Sequence, residues 1–173
     1  MTHNYRSPLG EILLSADDSG LTGLWFSGQK YFPDRLPEDM ADPTAEHHLD
    51  ETVRWLDLYF VGQKPDFIPK LHPAGTAFQQ LIWSLLLDIP YGKTATYGDL
   101  AKQVSILLGR PHMSAQAVGG AVGHNPISII IPCHRVLGAK GQMTGYASGI
   151  WRKEKLLTLE SAALDLQQTD KSR

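Results

Sequence analysis

Apolar and polar residues near the N-terminus follow a pattern typical of short β-strands. Between Arg6 and Gly28, Gly10 and the stretch DDSG mark turns, and apolar residues cluster between them. We therefore predict a β-meander with its turns at these two places. The candidate core positions of the meander are Ile12, Leu14, Leu24 and Phe26.

The apolar spacing changes to that of a helix between Glu46 and Phe60. Leu49, Val53 and Leu56 recur at helical spacing with Phe60, and a glycine at 62 provides a stop. The linker that follows, GQKPDFIPKLHPAG, is rich in proline and glycine. We place a domain boundary near Leu71, so residues 1–71 are predicted to form an N-terminal α/β domain.

The second half of the chain contains several helix starts. Thr76 with Gln79, and Thr96 with Asp99, have the spacing of capping boxes, and Ser114 is placed to cap a further helix. The short helices after Thr96 and Ser114 are separated by a compact turn and contain small residues. This pattern suggests a helix-turn-helix, although short helix pairs are common in other soluble domains.

Residues 72–161 are therefore predicted to form a C-terminal domain that ends with a helix. The buried stripes of its first and last helices are assigned to Phe78, Leu81, Ile82 and Leu85, and to Leu156, Leu157 and Leu159. The predicted fold class is α/β, of the α+β kind: a small β-sheet domain with a helix, then a mainly helical domain. Residues 162–173 are predicted to be a polar tail that frays.

Composition limits the possible classes of protein. The chain has 173 residues, 42% of them hydrophobic and 20% charged, which is enough to bury a core. It has no run of about 18 apolar residues and no secretory signal, so we expect a cytoplasmic protein without a membrane partner. We also expect a monomer. A single cysteine excludes an internal disulfide, and no closely spaced ligands indicate a metal site.

Charge is distributed unevenly along the chain. Residues 1–92 contain 6 basic and 13 acidic residues, a net charge of −7, whereas residues 93–160 contain 8 and 3, a net charge of +5. A basic half indicates a polyanion as a partner. Attraction between two oppositely charged faces of one molecule would explain the same asymmetry equally well.

The single cysteine could be a core residue or a nucleophile. Cys133 follows the apolar run Ile129–Ile131, predicted to be a buried strand that Pro132 ends, and most buried cysteines are structural. His134 and Arg135 nevertheless add a base and a cation, either of which can activate a thiol. Neighbouring side chains on an extended chain point to opposite faces, so His134 would act through water or at a bend.

The sequence around this cysteine resembles a known family. GHNPISIIIPCHRV, followed by GYASGIWRKEKLLTLE, is similar to the 6-O-alkylguanine-DNA alkyltransferases, and the resemblance covers residues 76–160. The first half resembles the family only in its size, strands and helix. The resemblance implies DNA repair: 6-O-alkylguanine is flipped out of duplex DNA, and its alkyl group is transferred irreversibly to Cys133 without a cofactor. 4-O-alkylthymine is a second candidate substrate.

The resemblance assigns roles to three further catalytic candidates. His134 matches the residue that takes the thiol proton through water, and Glu160 matches the carboxylate that orients this histidine. Tyr97 matches a tyrosine that contacts the flipped base and helps guanine leave as a neutral species. Without the resemblance, Glu160 would be a surface charge at a helix end and Tyr97 a half-buried aromatic residue.

Other residues match positions that form the pocket in the family. Asn125 matches an asparagine that braces two motifs, and the backbones of Cys133 and Val136 would read the guanine edge. Tyr146 and the backbone of Ala147 would lie against the base. The other candidates near the pocket are Ser128 and Ser148.

The resemblance also implies how double-stranded DNA binds. In the family, the second helix of the helix-turn-helix enters the minor groove, and small residues between Ala115 and Ala121 would allow a close approach. Tight packing against another helix would explain these residues equally well. Many members carry an intercalating arginine where this chain has Gln116, which can fill the gap but adds no charge.

Two other classes of function are compatible with these residues. A cysteine hydrolase would also use a cysteine and a histidine, but it turns over and needs an oxyanion hole, which the sequence does not locate. A non-catalytic lesion-binding protein of the same fold would flip the base without reacting. Related binding-only proteins lack the cysteine, so Cys133 favours repair.

Overall fold

The structure is a computed structural model that describes residues 1–38 and 40–171. Its N-terminal part is an antiparallel sheet in the order β1-β2-β3 with a long helix packed against it. The elements are β1 (Thr2–Ser7), β2 (Gly10–Asp17), β3 (Gly20–Phe26) and α1 (Pro43–Phe60). The predicted meander is therefore present, and its first strand begins earlier than Arg6.

The register of the sheet places the predicted core residues on one face. Ile12 is opposite Phe26 and Leu14 is opposite Leu24, and all four side chains are fully buried. Directly opposite residues of an antiparallel pair share a face, so these positions form one apolar surface of the sheet.

Helix α1 buries more of its surface than the predicted stripe. Leu49 and Leu56 are buried as predicted, whereas Val53 is only half-buried. Trp55 and Tyr59 are also buried, and their rings stack with centroids 5.1 Å apart. The helix therefore presents an aromatic face that the apolar spacing did not indicate.

The C-terminal part consists mainly of helices around a short parallel strand pair. Its elements are α2 (Ala77–Leu87), β4 (Ala95–Thr96), α3 (Tyr97–Leu108), α4 (Ala115–Gly123), β5 (Val136–Leu137) and α5 (Ile150–Lys171). The capping boxes at Thr76 and Thr96 are present, and the Ser114 hydroxyl accepts a hydrogen bond from the Ala117 amide. These capping predictions are confirmed.

The predicted stripe of α2 is only partly correct. Ile82 is buried, together with Trp83 and Leu86, but Phe78, Leu81 and Leu85 are half-buried. The stripe is displaced because α2 packs against both α3 and α4, which cover a different side of the helix.

The apolar segment before the cysteine is not the predicted strand. Ile127 forms one isolated bridge with Leu24, and residues 128–130 form a turn in which Ile129 has a left-handed φ of 70°. Ile129, Ile130 and Ile131 are buried as predicted. An apolar run of this length reports burial, but it does not distinguish a strand from a buried turn.

The predicted polar tail is helical rather than frayed over its described residues. Helix α5 continues from Ile150 to Lys171, and Ala163 within it is buried. Leu164 packs so closely against Gly92 that a Cβ added there would overlap its side chain. Apolar contacts therefore hold the first turn of this extension. None of the helices in the described ranges is long and apolar enough to cross a membrane.

Trp83 connects α2 to α4. Its indole nitrogen donates a hydrogen bond of 2.9 Å to the carbonyl of Ala121, and the contact is buried. Ala121 lies in the last turn of α4, where carbonyl groups lack partners within the helix. This bond therefore satisfies a helix end and fixes α4 beside the pocket described below.

We expect Trp83→Phe to lower the free energy of unfolding by about 1–3 kcal/mol, because the Ala121 carbonyl is left buried without this donor. Urea unfolding at neutral pH measures the change. Trp151→Phe is the matched control: Trp151 is half exposed, so its replacement is expected to change stability little. Equal losses of stability in Trp83→Phe and Trp151→Phe would contradict the role assigned to the hydrogen bond from Trp83 to Ala121.

Candidate active site

Cys133 borders a pocket of about 240 Å³ that both parts of the chain enclose. Of the predicted site residues, Tyr97, Asn125, Tyr146 and Ala147 border the same pocket, and so does Ser128. They come from the start of α3, from the turn after α4 and from the segment before α5. The pocket thus brings together residues that are distant in sequence.

The thiol is held at a bend rather than at a strand end. Cys133 begins a 3-10 turn, Cys133–Arg135, and is almost fully buried. Burial raises the pKa of the thiol, while the side chain of Asn125 and the charge of Lys153 oppose this rise. The thiol is therefore protonated at rest and needs a base to become a nucleophile.

Lys153 is a fully buried cation on α5. Its ammonium group donates hydrogen bonds to the carbonyl groups of Val136 and Thr144, at 2.5 and 2.7 Å. Burial lowers the pKa of Lys153, and the nearby Cys133 opposes this effect. The lysine therefore ties β5 to the segment beside the pocket and places a positive charge near the thiol.

Asn125 holds the buried turn that leads to the cysteine. Its side-chain amide donates to the Ile131 carbonyl at 2.8 Å, and its oxygen accepts from the Ile127 amide at 3.0 Å. These two bonds satisfy backbone groups that a strand neighbour would otherwise satisfy. The asparagine thus explains how the apolar segment can turn inside the core.

Glu160 is a fully buried carboxylate surrounded by hydrogen-bond donors. It accepts from His134 Nε2 at 2.7 Å, from Arg135 Nη2 at 2.9 Å and Nε at 3.0 Å, and from the Gly92 amide at 3.1 Å. Burial alone would raise its pKa, but the hydrogen bonds and charges of His134 and Arg135 outweigh this effect and lower the pKa to about 2. The carboxylate is therefore ionised at neutral pH.

The ionised carboxylate determines the tautomer of His134. Because Glu160 can only accept hydrogen bonds, Nε2 carries the hydrogen and Nδ1 is the basic nitrogen of the neutral ring. Burial lowers the pKa of His134, while Glu160 opposes this shift. Nδ1 is buried and hydrogen-bonds to none of the described residues. His134 is therefore a neutral ring with a free basic nitrogen, next in sequence to the thiol.

Two tyrosines at the pocket remain neutral phenols. Burial raises the pKa of Tyr97, and Cys133 adds to the rise. Burial and Cys133 also raise the pKa of Tyr146 far above its usual value, although Ser128 and Ser148 oppose this. Neutral hydroxyl groups can donate hydrogen bonds to a molecule bound in the pocket.

Five predicted site residues lie outside the border of this pocket: the catalytic candidates His134 and Glu160, described above, and three of the predicted substrate- and DNA-binding residues. Val136 is buried with its amide bonded to the Cys133 carbonyl and its own carbonyl bonded to Lys153, so its backbone groups already have partners. Ser148 is buried beside Tyr146. Gln116 is exposed on α4 and borders a shallow adjoining groove, which shares Tyr97 with the pocket.

The loop after β3 contributes to the pocket, although no sequence pattern predicted this. Lys30 and Tyr31 border the pocket, and the Lys30 amide donates to the Ala147 carbonyl at 3.0 Å. Tyr31 stacks on His124, with ring centroids 4.0 Å apart. This loop has no apolar periodicity, so no sequence pattern indicated that it closes the pocket. Tyr59, Lys153 and the pairing of Arg135 with Glu160 were also missed, because each depends on a contact between residues that are distant in sequence.

No group of three or more His, Cys, Asp and Glu side chains within residues 1–38 and 40–171 could hold a metal ion. The site therefore consists of a thiol, a histidine and a carboxylate beside a half-open pocket.

The fold and the site define an α+β protein with a buried cysteine, a histidine and a carboxylate beside a pocket. Residues 77–162 match the family model "6-O-methylguanine DNA methyltransferase, DNA binding domain". Residues 2–73 match "6-O-methylguanine DNA methyltransferase, ribonuclease-like domain". The two matches cover most of the chain, which therefore belongs to the 6-O-methylguanine DNA methyltransferase family.

Individual relatives agree with this assignment. The methylated-DNA–protein-cysteine methyltransferase of Methanosarcina acetivorans is 46% identical over 159 residues, which are 91% of this chain and 96% of the relative. That of Mycobacterium tuberculosis is 46% identical over 156 residues, 90% of this chain and 89% of the relative. The crystal structure of Mycobacterium tuberculosis OGT in complex with DNA has a TM-score of 0.77 at 42% identity and covers 92% of each chain.

We expect Glu160→Gln to lower the free energy of unfolding by about 3 kcal/mol at neutral pH, because Arg135 is left buried without its ionic partner. A carboxylate whose pKa falls from 4.5 to about 2 on folding stabilises the fold above pH 4.5 and loses this contribution as the pH falls toward 2. The difference between the two proteins should therefore shrink over that range.

Urea unfolding at a series of acidic and neutral pH values tests this prediction. Glu154→Gln is the matched control, because Glu154 is an exposed carboxylate on the same helix. A difference between wild type and Glu160→Gln that stays constant on acidification would contradict the prediction.

Proposed function

We propose that this protein repairs DNA by transferring the alkyl group of 6-O-alkylguanine to Cys133. The observation that carries the proposal is a buried thiol at the border of a half-open pocket, followed directly by a histidine that a buried carboxylate orients. The names of the relatives and the match of both family models support the same chemistry. A base flipped out of the duplex would enter the pocket, because its 6-oxygen is otherwise inside a base pair.

Activation of the thiol follows from the hydrogen bonds of the site. The thiol proton passes through a water molecule to Nδ1 of His134, the ring nitrogen that has no partner among the described residues. Glu160 stabilises the imidazolium that results, because its ionised oxygen is 2.7 Å from Nε2. The positive charge of Lys153 favours the thiolate.

Alkyl transfer is a displacement at a saturated carbon. The thiolate sulfur forms a bond to the alkyl carbon, the bond between that carbon and the guanine oxygen breaks, and its electron pair remains with the guanine. Tyr97, a neutral phenol at the pocket, donates a proton so that guanine leaves uncharged, and the proton held by the His134 imidazolium is released to solvent while the phenolate regains one. The thioether is stable, so each molecule repairs one lesion. The same displacement would act on 4-O-alkylthymine.

The pocket wall would recognise the base through Tyr146 and the backbone of Ala147. Asn125 keeps the floor of the pocket rigid by bracing the turn before the cysteine. We assign reading of the guanine edge to backbone groups of Cys133 and Val136. The Val136 carbonyl is bonded to Lys153 and can accept a second hydrogen bond. Ser148, beside Tyr146, adds polarity next to the alkyl group.

Helices α3 and α4 would form the DNA-binding helix-turn-helix, with α4 in the minor groove. Gly119 and Gly120 lack side chains that would keep α4 from the groove, and this half of the chain carries the net positive charge. Gln116 is exposed at the start of α4 and would occupy the space left by the flipped base. The protein would act as a monomer in the cytoplasm, where its thiol stays reduced.

The proposal is tested by incubating the protein with duplex DNA containing 6-O-methylguanine and measuring its intact mass. We expect the mass of one added CH₂ per molecule, located on Cys133 and absent from Cys133→Ala. A cysteine hydrolase would consume many equivalents without keeping the group. A lesion-binding protein would shift the DNA in a gel and keep its original mass, and either result would overturn the proposal.

We expect Gln116→Arg to bind alkylated duplex DNA more tightly at low salt and to lose affinity more steeply as salt rises. One additional phosphate contact changes the slope of log affinity against log salt by about 0.9. Gln63→Arg, which adds the same charge at an exposed position of the N-terminal part, is the control and should leave the slope unchanged. Identical slopes for wild type and Gln116→Arg would show that Gln116 does not contact DNA.

A further inference from the structure

Helix α1 contributes one side chain to the hydrogen bonds of Glu160. The hydroxyl of Tyr59 donates to Glu160 Oε1 at 2.9 Å, and both side chains are fully buried. His134 Nε2 and Arg135 Nη2 bond to the same oxygen at 2.7 and 2.9 Å. The N-terminal part therefore reaches the carboxylate that orients the histidine, across 101 positions of sequence.

The Tyr59 ring is held by aromatic contacts on several sides. It stacks on Trp55 with an interplanar angle of 11°, and it packs edge-on against Phe60 and Tyr91 with centroids 5.4 and 6.2 Å away. Offset and edge-on contacts fix the plane of a ring. The direction of the hydroxyl is therefore set by packing, so the hydroxyl can in turn fix the carboxylate oxygen.

We propose that Tyr59 is a positioning residue for alkyl transfer, which holds in place the Glu160 oxygen that binds His134. This inference rests on the proposed function, since it assigns Tyr59 to the same reaction. Tyr59 touches neither the thiol nor the pocket border described above. It acts through Glu160 and then through His134.

The Tyr59 hydroxyl affects both the position of the Glu160–His134 pair and the basicity of His134. The Tyr59 hydroxyl donates to Oε1, the oxygen that also accepts from His134 Nε2, and so reduces the negative charge on that oxygen. Without this donor, the carboxylate stabilises the protonated imidazolium of His134 more strongly. The titratable and charged groups around Glu160 are His134 and Arg135 from the 3-10 turn, Tyr59 from α1, Tyr91 from the segment before β4, and Lys153 through its charge on His134. Without Tyr59, His134 becomes more basic and less well oriented.

Tyr91 provides a matched control. Its ring contacts Tyr59, and its hydroxyl is buried but hydrogen-bonds to none of the described residues. Tyr91→Phe therefore removes a buried hydroxyl near Glu160 without removing a hydrogen bond to the carboxylate. Any effect specific to Tyr59→Phe comes from its bond to Oε1.

The test measures the single-turnover rate of alkyl transfer from duplex DNA containing 6-O-methylguanine between about pH 5 and about pH 9. Tyr59→Phe is expected to lower the rate constant about tenfold, the effect of losing one hydrogen bond to a charged group. The pH at which activity falls on the acid side should move upward, because His134 must be neutral to accept the thiol proton. Affinity for DNA and the results for Tyr91→Phe should match wild type.

A second variant gives the opposite shift and preserves the packing. Replacing Tyr59 with a fluorinated tyrosine, whose phenol is a stronger donor, should move the acid side of the profile to lower pH. This variant also keeps the test decisive where Tyr59→Phe does not fold.

The inference is overturned where both Tyr59 variants keep the pH profile of wild type, whatever happens to their thermal stability. It is equally overturned where Tyr59→Phe and Tyr91→Phe slow the reaction alike. Failure of the proposed function is a different result, because wild type itself would then form no adduct on Cys133 at any pH.

Discussion

The rest of the structure depends on the hydrogen bonds and the ion pair of the buried Glu160 carboxylate. Removing an ionised carboxyl group from water costs several kcal/mol unless charges and donors replace its hydration. In this protein the donors come from distant parts of the chain: Tyr59 on α1, the Gly92 amide before β4, and His134 and Arg135 on the 3-10 turn. Satisfying one anion therefore requires α1, α5 and the cysteine turn to pack together, and the same packing orients the histidine.

The thiol depends on a second set of buried polar contacts. Asn125 hydrogen-bonds to backbone groups on either side of the turn that contains the left-handed Ile129, as a neighbouring strand would otherwise do. Lys153 links β5 to the segment that borders the pocket. Because these polar groups are buried, each is costly to leave without a partner, and the turn has little freedom to move. The turn thus holds a protonated thiol at the border of the pocket. Reactivity follows from the arrangement around Cys133, since burial alone makes the thiol less acidic.

Much of the fold was predictable from local patterns, and the errors have identifiable causes. Helix starts at Thr76, Thr96 and Ser114 were correct because a capping side chain acts on amides three residues away. The core of the meander was correct because apolar residues clustered between two turn signals indicate burial, and in β2 both faces of the strand are in fact buried. The strand predicted at Ile129–Ile131 was wrong, since an apolar run does not reveal whether its backbone groups bond to a strand or to Asn125. The frayed tail was wrong because the contacts of Ala163 and Leu164 lie with residues far away in sequence.

The sequence by itself determined the chemistry available to this protein: one thiol, a histidine and an arginine directly after it, and a resemblance that covers residues 76–160. It also determined the helix caps, because a cap depends on neighbours along the chain, whereas the buried stripes of α1 and α2 were only partly predicted. Only the tertiary structure decided which residues serve the thiol. Tyr59 reaches Glu160, and Lys30 and Tyr31 reach the pocket, through the packing of the two parts of the chain. Contacts between residues about a hundred or more positions apart arise from that packing, and a single sequence contains no local pattern that reports them.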